Sequence, residues 1–343
     1  MVTAVSTQLA SSPVRFELPP ELEAREPPEA RGLARDEVRL LVTDRHGGVT
    51  HGARFRDLPL FLAPGDLLVV NDSATIPAAL AATRAHGATF TLHLSTRHDG
   101  YWVVEPRDAS VRAGECVRLP GGGAATFLAP HRGSARLWRA RLRLPGDDFA
   151  YLRAHGRPIG YSYVPGQWPL EMYQTVYARH PGSAEMPSAG RAFSAPLIDV
   201  LRQRGVRIAA ITLHTGVASL EAHEPPYEEW FSVTPEAARA VNEAHARRGR
   251  VVAVGTTVVR ALESALGADG HVEAREGWTD RVISADDTVR AIDALITGFH
   301  EPRASHLAML AAVGGSRQLR RAYDAALRGR YLWHEFGDLH LML

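Results

Sequence analysis

The chain has 343 residues, 45% hydrophobic and 22% charged, which is enough for about two domains and too apolar for wholesale disorder or a collagen-like repeat. Its 39 basic residues, all of them arginine, face 38 acidic ones and leave a formal charge of +1, so any nucleic-acid footprint has to be a local patch. The lack of lysine excludes Schiff-base, pyridoxal-phosphate and P-loop lysine chemistry, and the single Cys116 excludes an intramolecular disulfide and a cysteine-rich zinc site.

Pro, Glu and Arg dominate Arg25 to Leu33, an expected extended crossing loop. Arg39 to Asp44 reads as a buried strand, Phe55 to Leu62 as a short helical stretch, and Leu67 to Val70 as an apolar run after the Pro64-Gly65-Asp66 turn. From about Leu80 the pattern changes to short alternating segments: Thr89 to Leu94, Tyr101 to Glu105, Glu115 to Leu119, Ala125 to Leu128 and Leu137 to Leu144. Short strands between Gly and Pro turns predict a small antiparallel barrel. Beyond Leu152, helices are expected at Leu197 to Arg204, Pro235 to Arg248, Thr257 to Leu266, Ser305 to Val313 and Leu319 to Arg328. Strands are expected at Arg207 to Leu213, Val251 to Val254 and Arg281 to Ser284. The fold class is therefore α/β: a domain with a mixed sheet, built from 1–65 and 153–343, interrupted by a β-barrel at 66–152.

No apolar run reaches the roughly 18 to 20 residues of a membrane helix, and Met1 to Pro13 lacks a signal-peptide pattern, so a soluble cytoplasmic protein is expected. Generic hydrolase, zincin and nucleotide motifs are missing, and the His214 and His223 pair lacks ligand spacing, so no metal is expected. Arg139, Arg141 and Arg143 alternate along one strand face that is either a phosphate grip or a solvated barrel exterior. Arg317, Arg320, Arg321, Arg328 and Arg330 pose the same choice on a helix.

A series of short strings in one order carries a resemblance. They are Phe16-Glu17-Leu18-Pro19, Arg39 to Val42 with Asp44-Arg45, Pro64 to Ser73, Tyr173-Gln174-Thr175-Val176-Tyr177, and Pro187-Ser188-Ala189-Gly190 with Phe193. Thr212-Leu213-His214 with Gly216, Ala253-Val254-Gly255-Thr256-Thr257 through Ser264, Asp293 to Thr297 with Phe299-His300, and Tyr331 with Gly337-Asp338 complete it. Together they resemble the S-adenosylmethionine:tRNA ribosyltransferase-isomerase family of queuosine biosynthesis, nearly end to end.

The resemblance implies an enzyme that donates the ribosyl carbons of S-adenosylmethionine to 7-aminomethyl-7-deazaguanine in tRNA, makes epoxyqueuosine, and releases adenine and methionine. S-adenosylmethionine is then the co-substrate and tRNA the partner, met through a local arginine patch. On that reading His214 and His300 are the acid/base candidates, because imidazole exchanges protons near neutral pH, with Glu229 as the third catalytic residue. Glu229, Glu263, Asp293 and Asp338 would supply an anionic field for the sulfonium. Thr256, Thr257 and Arg260 would clamp the methionine carboxylate where Gly255 opens a helix. Asn71, Tyr173, Gln174, Thr175, Ser188, Gly190 and Phe299 fill the remaining substrate-binding positions of the matched strings.

The chain also departs from the family pattern. Ala74 and Ala79 stand where arginines are usual, Ala192 where a histidine is, and Gly298 where an asparagine is. Glu185, Arg191 and Tyr227 are new side chains, and Leu332-Trp333-His334-Glu335-Phe336 replaces an Arg-Phe-Phe-Ser-Tyr stretch. Two alternatives therefore stand beside the family reaction: a paralogue using a small-molecule acceptor, and a binding module without catalysis.

Overall fold

The computed structural model describes residues 13–44, 48, 50–217, 227–302 and 304–343. After 3-10 turns at Pro20–Leu22, Pro28–Arg31 and Arg35–Glu37, the chain forms β1 (Arg39–Thr43), β2 (Thr50–Arg54), β3 (Leu67–Asn71) and β4 (Ser73–Thr75). There follow β5 (Ala79–Thr83), β6 (Thr89–His98), β7 (Tyr101–Arg107), β8 (Cys116–Arg118), β9 (Ala124–Pro130), β10 (Trp138–Arg143) and helix α1 (Asp148–His155). The rest alternates: β11 (His180–Ser183), α2 (Ala195–Gln203), β12 (Arg207–Leu213), β13 (Glu229–Val233), α3 (Pro235–Ala246), β14 (Val251–Val254) and α4 (Thr256–Ser264). It ends with β15 (Arg275–Thr279), β16 (Ala294–Gly298), α5 (His306–Gly314), α6 (Ser316–Arg328) and β17 (Leu339–Met342).

Among the described residues nine strands form one sheet in the order β15-β13-β12-β3-β14-β16-β17-β1-β2. Its centre, β12, β3, β14 and β16, is parallel. Central strands of this kind are covered on both faces, and the side chains alternate accordingly. Leu67 and Val69 of β3 and Val251 and Ala253 of β14 enter one core with α3 to α6, whereas Leu68, Val70, Val252 and Val254 enter the other with Leu197 and Leu201 of α2.

Strands β5 to β10 close an antiparallel barrel around Leu80, Leu92, Leu94, Val104, Val117 and Phe127. The barrel segment expected at 66–152 therefore opens too early, since Leu67–Asn71 lies between β12 and β14 in the large sheet. The physical reason is pairing rather than burial: β3 is buried throughout, as β6 and β7 of the barrel are over five residues each, but it takes parallel partners on both sides, β12 and β14, and so belongs to the large sheet. The strand expected at Arg281 to Ser284 is also displaced, to β15. Only Ile283 of the apolar Val282-Ile283 pair is buried, Val282 being 47% exposed, and the ladder runs instead from Arg275 to Thr279 against β13.

The parallel strands end together. Asn71, Leu213, Val254 and Gly298 lie at one edge of the sheet, where antiparallel β13 and β17 begin. That edge is where open α/β sheets form a ligand crevice.

Candidate active site

Asn71 fixes the splay between two strand ends. Its Nδ2 donates to the Leu213 carbonyl (2.8 Å) and to Thr257 Oγ1 (3.4 Å), and its Oδ1 accepts from the Leu213 (2.9 Å) and Ser73 (3.1 Å) amides. Beyond Leu213 comes His214, whose Nδ1 shares a 2.8 Å hydrogen bond with Ser73 Oγ; Ser73 in turn bonds Ser183 Oγ at 2.6 Å. The imidazole is sandwiched: one face stacks on Trp230 (5.2 Å, 21°), and on the other a Cβ at Gly182 would stand 2.6 Å from the ring. Burial, with His180 adding to it, pulls His214 down to about 4, so the ring is neutral at neutral pH. Nε2 has no hydrogen-bond partner among the described residues.

At the head of β13, Glu229 Oε1 accepts the Gly216 amide (2.8 Å) and Oε2 pairs with Arg260 Nη1. Arg260 also donates to the Arg281, Tyr227 and Thr279 carbonyls. The carboxylate clamp expected of Arg260 is thus filled by the protein itself. Thr256 and Thr257 stand at the head of α4, which Gly255 opens at φ 95° while its amide donates to Ile296. A Cβ is strained in that left-handed region, which is why glycine sits at this turn. The first helix amides face the crevice without intrahelical partners.

Across the crevice, His300 Nε2 shares a 3.0 Å hydrogen bond with Thr297 Oγ1, and its ring stacks on His306 (4.5 Å, 4°). Burial, reinforced by His306 and His334, holds His300 well below the usual imidazole range. Solvent reaches His306, yet protein walls it in; that desolvation and the Arg260 charge pull it down to about 4. The structure therefore brings His214, Glu229, Arg260, Thr256, Thr257, Asn71 and His300 to one crevice edge.

Other expected residues lie elsewhere or are occupied. Asp293 is at the opposite, amino-terminal end of β16, bonding the Val251 amide (2.8 Å) and facing His245 (3.3 Å). Glu263 sits two turns down α4 and holds the Arg290 and Ala291 amides and Arg281, not Arg260. Asp338 accepts the Arg39 and Leu332 amides, and Phe299 is buried among Tyr323, Tyr331, Trp333 and His340. Gln174 grips the Thr75 backbone with both ends of its amide, and Tyr173 accepts Thr75 Oγ1 through its carbonyl. Thr175 is buried with no partner for Oγ1, Ser188 lines a small cavity with Arg191 and Glu335, and a Cβ at Gly190 would meet the Tyr177 hydroxyl. His223 lies outside the described residues, among which no cluster of metal-ligating side chains occurs.

Sequence reasoning missed Ser73, Ser183, Trp230 and His306. The two serines are 110 positions apart and meet only through the parallel pairing of β4 with β11. Arg191 has a structural use: it pairs with Glu29 (2.7 Å), donates to the Met172 carbonyl and lies over the Phe336 ring.

Fold and site define an α/β protein with an inserted barrel and a crevice at the carboxyl ends of its parallel strands, lined by neutral histidines and a helix amino terminus. Residues 11–342 match the family model described as queuosine biosynthesis protein. The chain is 39% identical to an S-adenosylmethionine:tRNA ribosyltransferase-isomerase of Moorella thermoacetica, covering 96% of this chain and 98% of the relative. One from Thermus thermophilus gives the same identity and coverage. The crystal structure of an S-adenosylmethionine tRNA ribosyltransferase from Thermotoga maritima matches with a TM-score of 0.55 at 31% identity, over 97% of this chain and all of that one. The chain belongs to the queuosine biosynthesis protein family.

Proposed function

We propose that the protein is a transferase and isomerase that moves the ribosyl unit of S-adenosylmethionine onto 7-aminomethyl-7-deazaguanine in tRNA, forming epoxyqueuosine and releasing adenine and methionine. The relatives' names support tRNA as acceptor and catalysis as outcome; they lend nothing to a small-molecule acceptor or a binder without turnover. A tRNA substrate also favours the cytoplasm. No helix of the described residues is long and apolar enough to cross a membrane.

The observation that carries the reading is His214: a neutral ring tied at Nδ1 to Ser73 and Ser183, with Nε2 open beside a helix amino terminus. A sulfonium acidifies its neighbouring 5′ hydrogens, and Nε2 takes one of them; the electron pair left on C5′ forms a C4′–C5′ double bond as the bond from C4′ to the ring oxygen breaks, that oxygen becomes the C1′ carbonyl, and adenine leaves C1′ with the proton that Nε2 took. The acceptor amine adds to C4′ and gives up a proton, C5′ bonds to C1′, and the C1′ alkoxide closes the epoxide on C5′ by displacing methionine. A neutral imidazole suits this better than a charged one, which would repel the sulfonium. Neutral His300 and His306 extend the same condition across the crevice. The free amides of Thr256 and Thr257 receive the methionine carboxylate. Glu229, fixed by Gly216 and Arg260, orients the crevice wall next to His214. The exposed arginines Arg139, Arg141 and Arg143 of β10 grip tRNA phosphates, with those of α6 as a second patch.

Mass spectrometry of adenine, methionine and tRNA after incubation with S-adenosylmethionine tests the reading. One adenine and one methionine released per mass gain on tRNA bearing the aminomethyl base is expected. Bound S-adenosylmethionine with no adenine released on such tRNA would overturn it.

A further inference from the structure

Between His214 and His300 the crevice has a third wall that the mechanism does not use. Tyr161, Tyr163 and His334 stack in a row, at 5.4 Å and 9° for the first pair and 3.9 Å and 14° for the second. Tyr161 shares a hydrogen bond with Glu185, and Tyr163 donates to Glu335 Oε2. The wall adjoins both sides of the site. The Glu185 carbonyl accepts Thr215 Oγ1 next to His214, and Glu301, next to His300, stands 3.9 Å from His334 Nδ1. Glu23 comes within 3.9 Å of His334 Nε2.

Two features make this wall a seat for something absent from the chain. Glu23, Glu301 and Glu335 have no arginine partner among the described residues, although the sequence holds 39 arginines. Glu301 is 60% exposed and reaches water, so the weight falls on Glu335: burial raises it, hydrogen bonds from Tyr163 and the backbone pull the other way, and the Glu301 charge raises it again. Independently, the His334 side chain is 5% exposed and its Nε2 has no hydrogen-bond partner, since 3.9 Å to a carboxylate is too long for one. Thr175 Oγ1 and His340 Nδ1 are also buried without a partner, but His334 Nε2 combines that with two carboxylates within 3.9 Å of its ring nitrogens and a tyrosine stacked on its face, and that combination fits a ligand.

We propose that Glu185, Glu335, Tyr161, Tyr163 and His334 form the seat for a substrate's primary ammonium group. Carboxylates give charge-assisted hydrogen bonds, the outer face of Tyr161, which the row leaves uncovered, adds cation–π attraction, and the surplus negative charge is neutralised on binding. The inference rests on the function proposed above, which supplies two bearers of such a group: the α-ammonium of S-adenosylmethionine and the aminomethyl group of the acceptor base.

Calorimetry on the full chain separates them. Wild type and the Glu185→Gln/Glu335→Gln variant are titrated with S-adenosylmethionine, with free 7-aminomethyl-7-deazaguanine, and with the analogue of each that lacks the amine. Loss of about tenfold or more in affinity for one amine-bearing ligand, with its amine-free analogue unaffected, supports the seat and names the occupant. Unchanged affinity for both, in a variant that still unfolds cooperatively, overturns it. Tyr163→Phe provides a second readout: it frees a Glu335 oxygen and should tighten the amine-bearing ligand, whereas lowered thermal stability with affinity unchanged marks a purely structural role. If wild type never releases adenine but the double variant still loses affinity for the amine-bearing ligand alone, the reaction fails and the seat stands.

Discussion

Gly182→Ala tests the His214 assignment without touching a polar group. Gly182 is in β11 and its backbone is not in the left-handed region, so a methyl group meets no conformational penalty there. It meets the imidazole instead, at 2.6 Å from Cγ, Nδ1 and Cε1. Ordinary contact needs about 3.4 Å, so ring and strand must part by about 0.8 Å. Trp230 closes the other face, and the ring has only its own plane to slide in or the tryptophan to push. A 0.8 Å slide of the ring in its own plane, away from Ser73, stretches that 2.8 Å bond to about 3.6 Å, past hydrogen-bonding range, while a shift across the plane tilts the bond out of line. Overpacking costs about 1 to 3 kcal/mol of stability, and a misplacement near 1 Å costs about a hundredfold in turnover. The assay is single-turnover release of adenine, with equilibrium S-adenosylmethionine binding and urea unfolding measured on the same preparation. The expected result is a fall in rate of ten- to a hundredfold with binding changed little. A folded variant with wild-type turnover would show that the position of His214 does not matter to the reaction, and the proton transfer would have to be reassigned.

Acid should weaken the fold through its neutral histidines. His214, His306 and His334 are pulled down to about 4 and His340 to about 3, all by burial first, from an ordinary 6.5. The unfolded chain therefore binds more protons between about pH 6.5 and 4. Stability is full above about 6.5 and is lost as pH falls, at about 1.4 kcal/mol per pH unit for His340, whose ring is fully buried, and at less for His214 and His334 and least for solvent-exposed His306. The urea midpoint should drop steeply from pH 7 to 5, and His340→Gln, which removes a ring bonded to Thr43, should lower that slope by about one proton. Arg260→Met leaves Glu229 without its cation and should cost about 3 to 5 kcal/mol, read by urea unfolding, more than it costs in S-adenosylmethionine affinity. Replacing Arg139, Arg141 and Arg143 with Gln should weaken tRNA binding and reduce its log-log salt slope by about two to three, with S-adenosylmethionine binding unchanged; an unaltered slope removes β10 from the RNA footprint.

The strands that sequence pattern locates best are the ones whose burial is uniform. Val251 to Val254 is matched end for end because four apolar residues between turns have only a doubly covered strand to occupy. The same uniformity in Leu67 to Val70 carries no information about which sheet it joins, and the change to alternating strands a few residues later drew the barrel boundary too far forward. Edge strand β15 is the converse case: exposed Glu276 and Trp278 give it little apolar signal, and its position depends on pairing with β13. At the site, Asp293 shows the limit of motif proximity. It lies four residues from Thr297, but a strand rises about 3.3 Å per residue, and that places it at the far edge of the sheet.

The departures from the family pattern teach the opposite lesson. Glu185 and the His334-Glu335 pair are 150 positions apart in sequence, and each taken alone is an erosion of a matched string. In the fold they face the same stacked tyrosines, one carboxylate per hydroxyl. A buried carboxylate that arrives singly costs desolvation without return, so carboxylates that arrive on one wall are retained together only if something compensates them. Arg191 follows the same logic in the other direction, since the Glu29 that holds it lies in the crossing loop. Comparison position by position therefore counts these changes as separate losses, while charge and distance group them into one structural tie and one ammonium seat. The reaction proposed here needs just such a seat, because both of its substrates carry an amine, and among the described residues Glu335 has no arginine partner.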